Sequence, residues 1–541
     1  DAWFERFKWW GLYHQRKGQE SYFMMRIGTP NGRLRPRQLR AIGEIAGEYA
    51  TGPVENPEFG DAYCDWTTRQ SVQLHWIQLR DVPEIFEKLG EHDLSTMQAC
   101  GDSWRNIVGS PMAGKDAEEH IDAWPVIEDL HDTFKGDDDH ANLPRKWKVA
   151  VTGDTRGSGQ AEINDLGFEP AVKDGHKGFN VKVGGGLSRK EPRFARDVDV
   201  FVTPETIAAV AGGLSALFRD HGDREDRFNA RMKFLVDEWG IDRIRRVLEE
   251  EYVDFDLPTA GEDLREEYSY NSGRADETGD YVGVHEQVDG DYFVGLSVLV
   301  GRMGAADVVE LADLAEEYGS DIVGLTQRQN VVVSDIAERD LEEFLGEPLL
   351  ETYSPDPHPF VRGSIACTGT EYCSLSIVET KNRMVRYARW LKDNVDVPDG
   401  IEDFHVHLSG CTASCAQPQI ADVSLRGMKT RKDGDPVEAF DVGLGGGLGE
   451  DPRFADWVEM RVAADEVPGY IRNLLGSYEE ERENEESFRE FIARHDEDDL
   501  DGLAEPEETS YEDPYLDNTK MTWYPYAEQT DMEASPTPAG D

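Results

Sequence analysis

Six cysteines occur in the chain, and four of them fall into two pairs. Cys367 and Cys373 form a C-x5-C and Cys411 and Cys415 a C-x3-C, with 37 residues between the pairs. Each pair sits among small residues, ACTGTEYC at 366–373 and SGCTASC at 409–415. Small side chains let the backbone approach a bulky group and leave its N–H groups free to face sulfide or thiolate. Four thiolates on two short loops are the donor set of a [4Fe–4S] cube. The spacing is not the C-x2-C-x2-C ferredoxin run, and C-x5-C is wider than the usual zinc knuckle. Spacing alone ranks an iron–sulfur cluster first and leaves zinc, unrelated thiols or disulfides as alternatives.

The second set of interest is cationic. The chain has 56 Lys+Arg against 110 Asp+Glu, a net charge of −54 over 541 residues, so clusters of basic residues carry weight. This balance argues against direct nucleic-acid binding. Acid spread along the whole length keeps a protein hydrated in concentrated salt, where screening removes its self-repulsion, so the composition reads as a halophile's. Length suggests several domains. No run of 18 apolar residues is present to span a membrane. The N-terminus DAWFERFKWWGLYHQRK lacks a signal-peptide layout, and so few cysteines do not make a secreted disulfide scaffold. The expected location is a reducing cytoplasm.

The elements that must position these residues form an internal duplication. YFMMRIGTPNGRL (22–34) resembles YFVGLSVLVGRM (292–303), and TTRQSVQLHW (67–76) resembles TQRQNVVVSD (326–335). Each half therefore begins strand, helix, strand, helix. Downstream, FNVKVGGGLSRKEPRFA (179–195) matches FDVGLGGGLGEDPRFA (440–455). Gapless alignment sets Cys411 opposite Asp154, Cys415 opposite Ser158, Cys367 opposite Cys100 and Cys373 opposite Asn106. The first half instead carries Arg69, Arg105, Arg145, Lys146 and Lys148. Two repeats about a pseudo-two-fold axis would set a cluster from one half against a cationic pocket from the other. The triple glycines 184–186 and 445–447 fit neither G-x-G-x-x-G nor a Walker motif, and read as close backbone packing.

These motifs resemble those of the ferredoxin-dependent nitrite/sulfite reductases. The resemblance runs from about Trp9 to about Glu481. It is carried by YFMMR, TTRQ, NLPRKWK, GVHEQ, ACTGTEYC with the following ETKNR, and SGCTASCAQPQIAD. It implies siroheme and a [4Fe–4S] cluster, the latter held by Cys367, Cys373, Cys411 and Cys415, with Cys415 also the axial thiolate of the siroheme iron. Arg69, Arg105, Lys146 and Lys148 match the anion-pocket positions. Arg26, Arg145 and Arg328 are candidates for siroheme carboxylates. Gln70, Asn106 and Gln417 are candidate hydrogen-bond donors to the cofactor. A planar, permanently charged Arg and a mobile Lys suit an oxyanion whose reduction consumes protons. The implied partners are reduced ferredoxin and a small oxyanion; neither nucleic acid nor membrane is expected, and the chain is expected to be a monomer.

The expected fold is α+β, built of α/β modules in an internally duplicated, pseudo-two-fold three-part arrangement. Ferredoxin-like half-domains lie near 15–90 and 285–350, and cofactor lobes near 95–250 and 360–480. A polar linker covers 251–284, and an acidic helix and solvated tail cover 481–541. For substrate, Lys148 and a Tyr22/Cys100 pair, a match to a covalently linked pair beside siroheme, point to sulfite, whereas Gln417 points to nitrite. The expectation is sulfite reduction, with nitrite reduction as the alternative and a non-reductase siroheme protein of tetrapyrrole metabolism as a rival of another class. The intact cationic set is what argues against that rival. Arg33, Arg35, Arg37 and Arg40 are a conceivable ferredoxin-docking patch.

Overall fold

The computed structural model describes residues 2–16, 18–154, 156–188, 191–265, 280–449, 451–483, 486–500 and 502–517. Among these residues the strands form four five-stranded sheets, two per half. In the first ferredoxin-like sheet, Tyr22–Ile27, Val72–Gln78 and Tyr63–Trp66 are antiparallel neighbours. In the corresponding sheet of the second half the neighbours are Tyr292–Leu296, Val331–Ile336 and Val323–Leu325.

Each of these sheets is completed by a strand from the other half. Arg302–Gly304 pairs with Tyr63–Trp66, and Arg33–Leu34 pairs with Val323–Leu325. The two half-domains therefore share one core, in which Leu39, Ile42 and Leu74 pack with Val308, Leu311 and Val331. The helices Pro36–Tyr49 and Ala305–Glu317 cross at Gly43, where an added Cβ would come within 2.8 Å of Val309. Only a residue without a side chain permits that approach.

The two remaining sheets carry the cofactor lobes. One holds Leu166–Lys173, His176–Val183 and Arg196–Val202, with Val149–Val151 parallel to the first of these. The other holds Ser364–Ala366, Val406–Ser409, Val423–Lys432, Asp435–Leu444 and Asp456–Ala463. The glycine triplets follow the second strand of each hairpin, and Leu187 and Leu448 just after them share a small core with Ile163 and Ile420. A Cβ on Gly185 would lie 2.6 Å from Asn164 O and one on Gly446 2.4 Å from Gln419 O. Just beyond them the rings of Phe194 and Phe454 stack at 3.9 Å.

Two regions differ from the sequence expectation. The segment 251–284 is partly built into the fold: Glu262–Asp263 adds to the first-lobe sheet, and Asp280, Tyr281 and Val282 are buried. The acidic segment after 481 is a strap as far as residue 517, not a solvated tail. The helix Phe488–Ala493, begun by a Ser487 capping box, buries Phe488, Phe491 and Ile492 in the second-lobe core, with Leu500, Tyr511 and Tyr515 following. A fully buried large apolar side chain stabilises by about 1.5–3 kcal/mol, enough to seat a segment that reads as polar by composition. The expected tail beyond 517 lies outside the described residues.

Candidate active site

The turn carrying Arg69 is a tight link between the strands Tyr63–Trp66 and Val72–Gln78. Gln70 N–H donates to Thr67 O at 2.9 Å, and Gln70 takes a left-handed φ of 54°. Its amide is spent on structure: Nε2 donates to Gly109 O at 2.8 Å and Leu325 O at 2.9 Å, and Oε1 accepts from Gly109 N–H. Asn106 likewise braces the turn, donating to Thr29 O at 2.7 Å and Arg69 O at 2.9 Å. The expectation that Gln70 and Asn106 reach a cofactor is corrected: both hold Arg69 in place.

Arg69 donates to Asn164 Oδ1 at 2.7 Å and Val149 O at 3.2 Å, while its buried Nε has no partner. Burial, then Arg105, brings Arg69 down to about 9. Lys146 and Lys148 flank Trp147 at the start of the strand Val149–Val151 and so share one face. Burial followed by the field of Arg105 holds Lys146 down to about 7. Burial and then Arg69 push Lys148 well below the ordinary lysine range. Burial works against the charge of Arg26, but Cys100 and Tyr13 outweigh it and hold the guanidinium above its ordinary value.

Among the described residues, Arg26, Arg69, Arg105, Lys135, Lys146 and Lys148 form no ion pair with a carboxylate. In a chain with 110 acidic residues that is a selected arrangement. Asp165, the carboxylate close enough to influence Arg69 and Lys148, is already taken by Arg231 at 2.8 and 2.9 Å. Half-buried cations without a carboxylate partner carry a cost that a bound anion removes.

The thiols face the same space. Thr68 Oγ1 donates to Cys415 O at 2.9 Å, and the Cys415 sulfur acts on the charge of both Arg26 and Lys146. Burial raises Cys367, and the nearby Cys415, Cys373 and Cys411 add to it. Gly410 N–H donates to Cys367 Sγ at 3.2 Å. Among the described residues no three His, Cys, Asp or Glu side chains are gathered for a single metal ion. Four thiols that act on one another's charge are the donor set of a cube. The C-x5-C loop is held by Glu371, which accepts from Arg302 at 2.8 Å, Asn56 at 2.7 Å and Tyr63 at 2.9 Å.

The pseudo-axis produces a twin of this site, and the sheet register corrects the gapless alignment. Val108 pairs with Ala150 as Ile365 pairs with His407. That register places Ser110 where the second half has Cys367, and Asp116 where it has Cys373. Asp154 and Ser158 stand at Cys411 and Cys415 as expected. Cys100 and Asn106 are not the counterparts of the ligand positions, because the same register sets them opposite Pro357 and Gly363. In the twin, Tyr281 donates to Ser110 Oγ at 2.6 Å and Arg156 to Asp116 at 3.0 Å. Arg328, the twin of Arg69, donates to Asp403 at 3.3 Å and meets His405 Nε2 at 2.7 Å. Arg362, the twin of Arg105, is held by Asp280 at 2.7 and 2.8 Å. Arg328 is therefore a twin-site residue, not a candidate for the siroheme carboxylates.

Other expectations shift too. Arg145 pairs with Asp102 at 3.3 Å. Gln417 Nε2 donates to Gln160 Oε1 at 2.7 Å, leaving its own Oε1 buried without a partner. Tyr22 lies edge-on to Trp76 at 5.0 Å. It is separated from Arg26, which donates to Cys100 Sγ at 3.3 Å, by four residues of strand, about 13 Å. The aromatic ring beside Arg26 is Tyr13, 5.7 Å from the guanidinium carbon, so Tyr22 and Cys100 are not brought together. Of the arginine patch, Arg37 pairs with Asp93, Arg40 with Asp313 and Glu316, and Arg33 donates to Pro111 O.

Sequence reasoning missed Arg231 and Lys135. The signal for Lys135 was its isolation: it is the one Lys or Arg between Lys115 and Arg145, in an acidic stretch.

A thiolate quartet beside an unpaired cationic pocket, in a duplicated α+β frame, defines a redox enzyme for a small oxyanion. The chain matches the "Nitrite and sulphite reductase 4Fe-4S domain" over residues 100–255 and 358–508. It matches the "Nitrite/Sulfite reductase ferredoxin-like half domain" over 14–92 and 285–350. It is 50% identical to an assimilatory ferredoxin-dependent nitrite reductase of Haloferax mediterranei, covering 99% of this chain and 93% of that protein. A sulfite reductase [ferredoxin] 2 of Mycolicibacterium paratuberculosis is 35% identical, over 92% of this chain and 89% of that one. The solved structure of the Mycobacterium tuberculosis NirA protein is similar, with TM-score 0.82 and 34% identity over 92% of this chain and 90% of that chain. The chain belongs to the nitrite and sulfite reductase family, oxidoreductases that carry siroheme and a [4Fe–4S] cluster. The four thiols, the orphaned Arg69 Nε and the unpaired cations fit both groups. No helix among the described residues is long and apolar enough to cross a membrane.

Proposed function

We propose that this chain is a ferredoxin-dependent nitrite reductase that takes nitrite to ammonia. The observation that carries the reading is the set of unpaired cations, Arg69, Arg105, Lys146 and Lys148, in the space faced by Cys415. A scaffold for tetrapyrrole chemistry without anion reduction has no use for them. The expectation of sulfite gives way to nitrite. Lys148 offers charge that either oxyanion can use, and Tyr22 stands away from Cys100. Gln417 was the better pointer, in agreement with the likeness to the Haloferax nitrite reductase over nearly the whole chain.

Cys367, Cys373, Cys411 and Cys415 would hold the cluster, with Cys415 shared with siroheme, and the bound pair would supply electrons one at a time. Everything else falls to the chain's own side chains. Arg69, fixed by Asn164 and Val149 O, keeps its Nε free to donate to an anion oxygen. Arg105, held by Gly101 O at 2.9 Å, supplies a second permanent charge. Lys146, whose charge is held down by burial and Arg105, is a mobile donor that can pass protons to the departing oxygens. Lys148 sits beside it as a second mobile donor.

The test is kcat/KM for nitrite and for sulfite, measured side by side with reduced ferredoxin in concentrated salt. The expected outcome is a preference for nitrite of at least about tenfold, roughly 1.4 kcal/mol of transition-state discrimination. A preference for sulfite overturns the reading.

A further inference from the structure

Lys135 is left unexplained by nitrite chemistry. It caps the C-terminal end of the helix Trp124–Phe134, its N–H donating to His131 O at 2.9 Å. Its ammonium lies over Gly28, 3.8 Å from where a Cβ would stand and two residues along the chain from Arg26. It has no ion pair and no side-chain hydrogen bond.

The charges around it are unusual. Arg105 donates from Nε to Gly101 O at 2.9 Å and from Nη1 to Ala99 O at 3.2 Å. Arg26 donates to Cys100 Sγ at 3.3 Å and Ala99 O at 3.4 Å. The groups that act on the Lys135 charge are this same Arg105 and Cys100, and burial with Arg105 brings it down to about 8. Arg26 and Arg105 thus meet on Ala99 O, and Lys135 comes up beside the same turn, its neighbour Gly136 N–H donating to Gln98 Oε1 at 3.1 Å. At an effective dielectric constant of about 20, two like charges roughly 6 Å apart repel by about 3 kcal/mol. An anionic ligand removes that cost.

We propose that Lys135 is a siroheme-binding residue that, with Arg26 and Arg105, takes one of the peripheral carboxylates of the tetrapyrrole. Two sources of negative charge come to this site, the carboxylates and the substrate. The substrate side is marked by Lys146, which feels the Cys415 sulfur, and by Lys148 beside Arg69. Lys135 stands on another element, at the end of the helix Trp124–Phe134, with its ammonium over Gly28 and Gly136 N–H tied to Gln98 beside the turn that holds Arg26 and Arg105, so it belongs to the cofactor rim. The inference rests on siroheme being the family's cofactor and not on which anion is reduced.

The test uses purified holoenzyme of wild type, K135Q and K135R in concentrated salt. Siroheme per cluster is read by extraction and absorbance, and its release rate is read in mild urea. K135Q is expected to release siroheme about tenfold faster at unchanged cluster iron, and K135R to stay within about twofold of wild type. Wild-type release from K135Q overturns the proposal. So does a raised nitrite KM at full siroheme occupancy, which would assign Lys135 to the substrate. K135M, which keeps the aliphatic stem and removes the charge, repeats the test if K135Q does not accumulate.

Discussion

Thr68 and Cys415 are 347 residues apart in the chain and joined by a 2.9 Å hydrogen bond, hydroxyl to backbone carbonyl. The bond ties the turn that aims Arg69 to the loop that carries the thiol, so the anion pocket and the thiolate end are held in register directly.

Thr68→Val keeps the shape and removes the donor. A neutral hydrogen bond of this kind contributes about 1 kcal/mol. If its effect is on alignment, kcat for nitrite falls roughly fivefold with a small shift in the siroheme absorption bands. Unchanged kcat and spectrum would show that the bond positions nothing.

Arg302 joins the halves through a buried network. It binds Asp65 at 2.6 and 2.9 Å and Glu371 at 2.8 Å, all nearly inaccessible to water. Arg302→Met leaves the buried Glu371 without its cation and Asp65 with Lys381 at 3.8 Å alone, a loss of about 3–5 kcal/mol. Denaturant unfolding should show this loss nearly independent of salt, since buried pairs are poorly screened. A loss below about 1 kcal/mol would contradict the assigned role.

The cysteines separate into roles that serine substitution can read. Cys415→Ser should abolish the joint siroheme and cluster spectrum. Cys64→Ser should leave it intact, because Cys64 is fully buried in the strand Tyr63–Trp66 and burial raises its thiol well above the ordinary range. Iron and siroheme content of both variants is the measurement, and a normal spectrum in Cys415→Ser would remove the shared thiolate.

His285 gives a pH signature. Burial, and then Arg156, lowers it from 6.5 to about 4, and its ring stacks on Phe293 at 4.8 Å. Between these values the unfolded chain binds a proton that the folded chain refuses. Stability from this group is therefore present above pH 6.5 and lost as pH falls towards 4. The slope is at most about 1.4 kcal/mol per pH unit. His285→Gln should flatten the stability curve in that window relative to the parent, and equal slopes would count against it.

Much of the site could be read from the residues, because thiols at fixed spacing among small residues and cations in an acidic chain are chemical signals. What escaped depended on geometry that types do not carry. Tyr22 and Tyr13 are both aromatic and near in sequence, but only the strand pairing shows that Tyr13 is the one beside Arg26. Arg328 looks like Arg69 in the repeat, yet Asp403 beside it stands where the first half has Lys146, so its charge is answered internally. The strap after 481 hid its anchors, Phe488, Phe491 and Tyr515, among acids.

The exchanged strands bear on how such a molecule could arise. Because Arg33–Leu34 completes the second sheet and Arg302–Gly304 the first, a single repeat would have an open sheet edge and would close it only against a second copy. Two copies of such a repeat would close each other's sheets and frame two equal cradles. In the fused chain the two cradles have parted company: one presents Arg69, Arg105, Lys146 and Lys148 without a carboxylate partner, and the other answers Arg328 and Arg362 with Asp403 and Asp280.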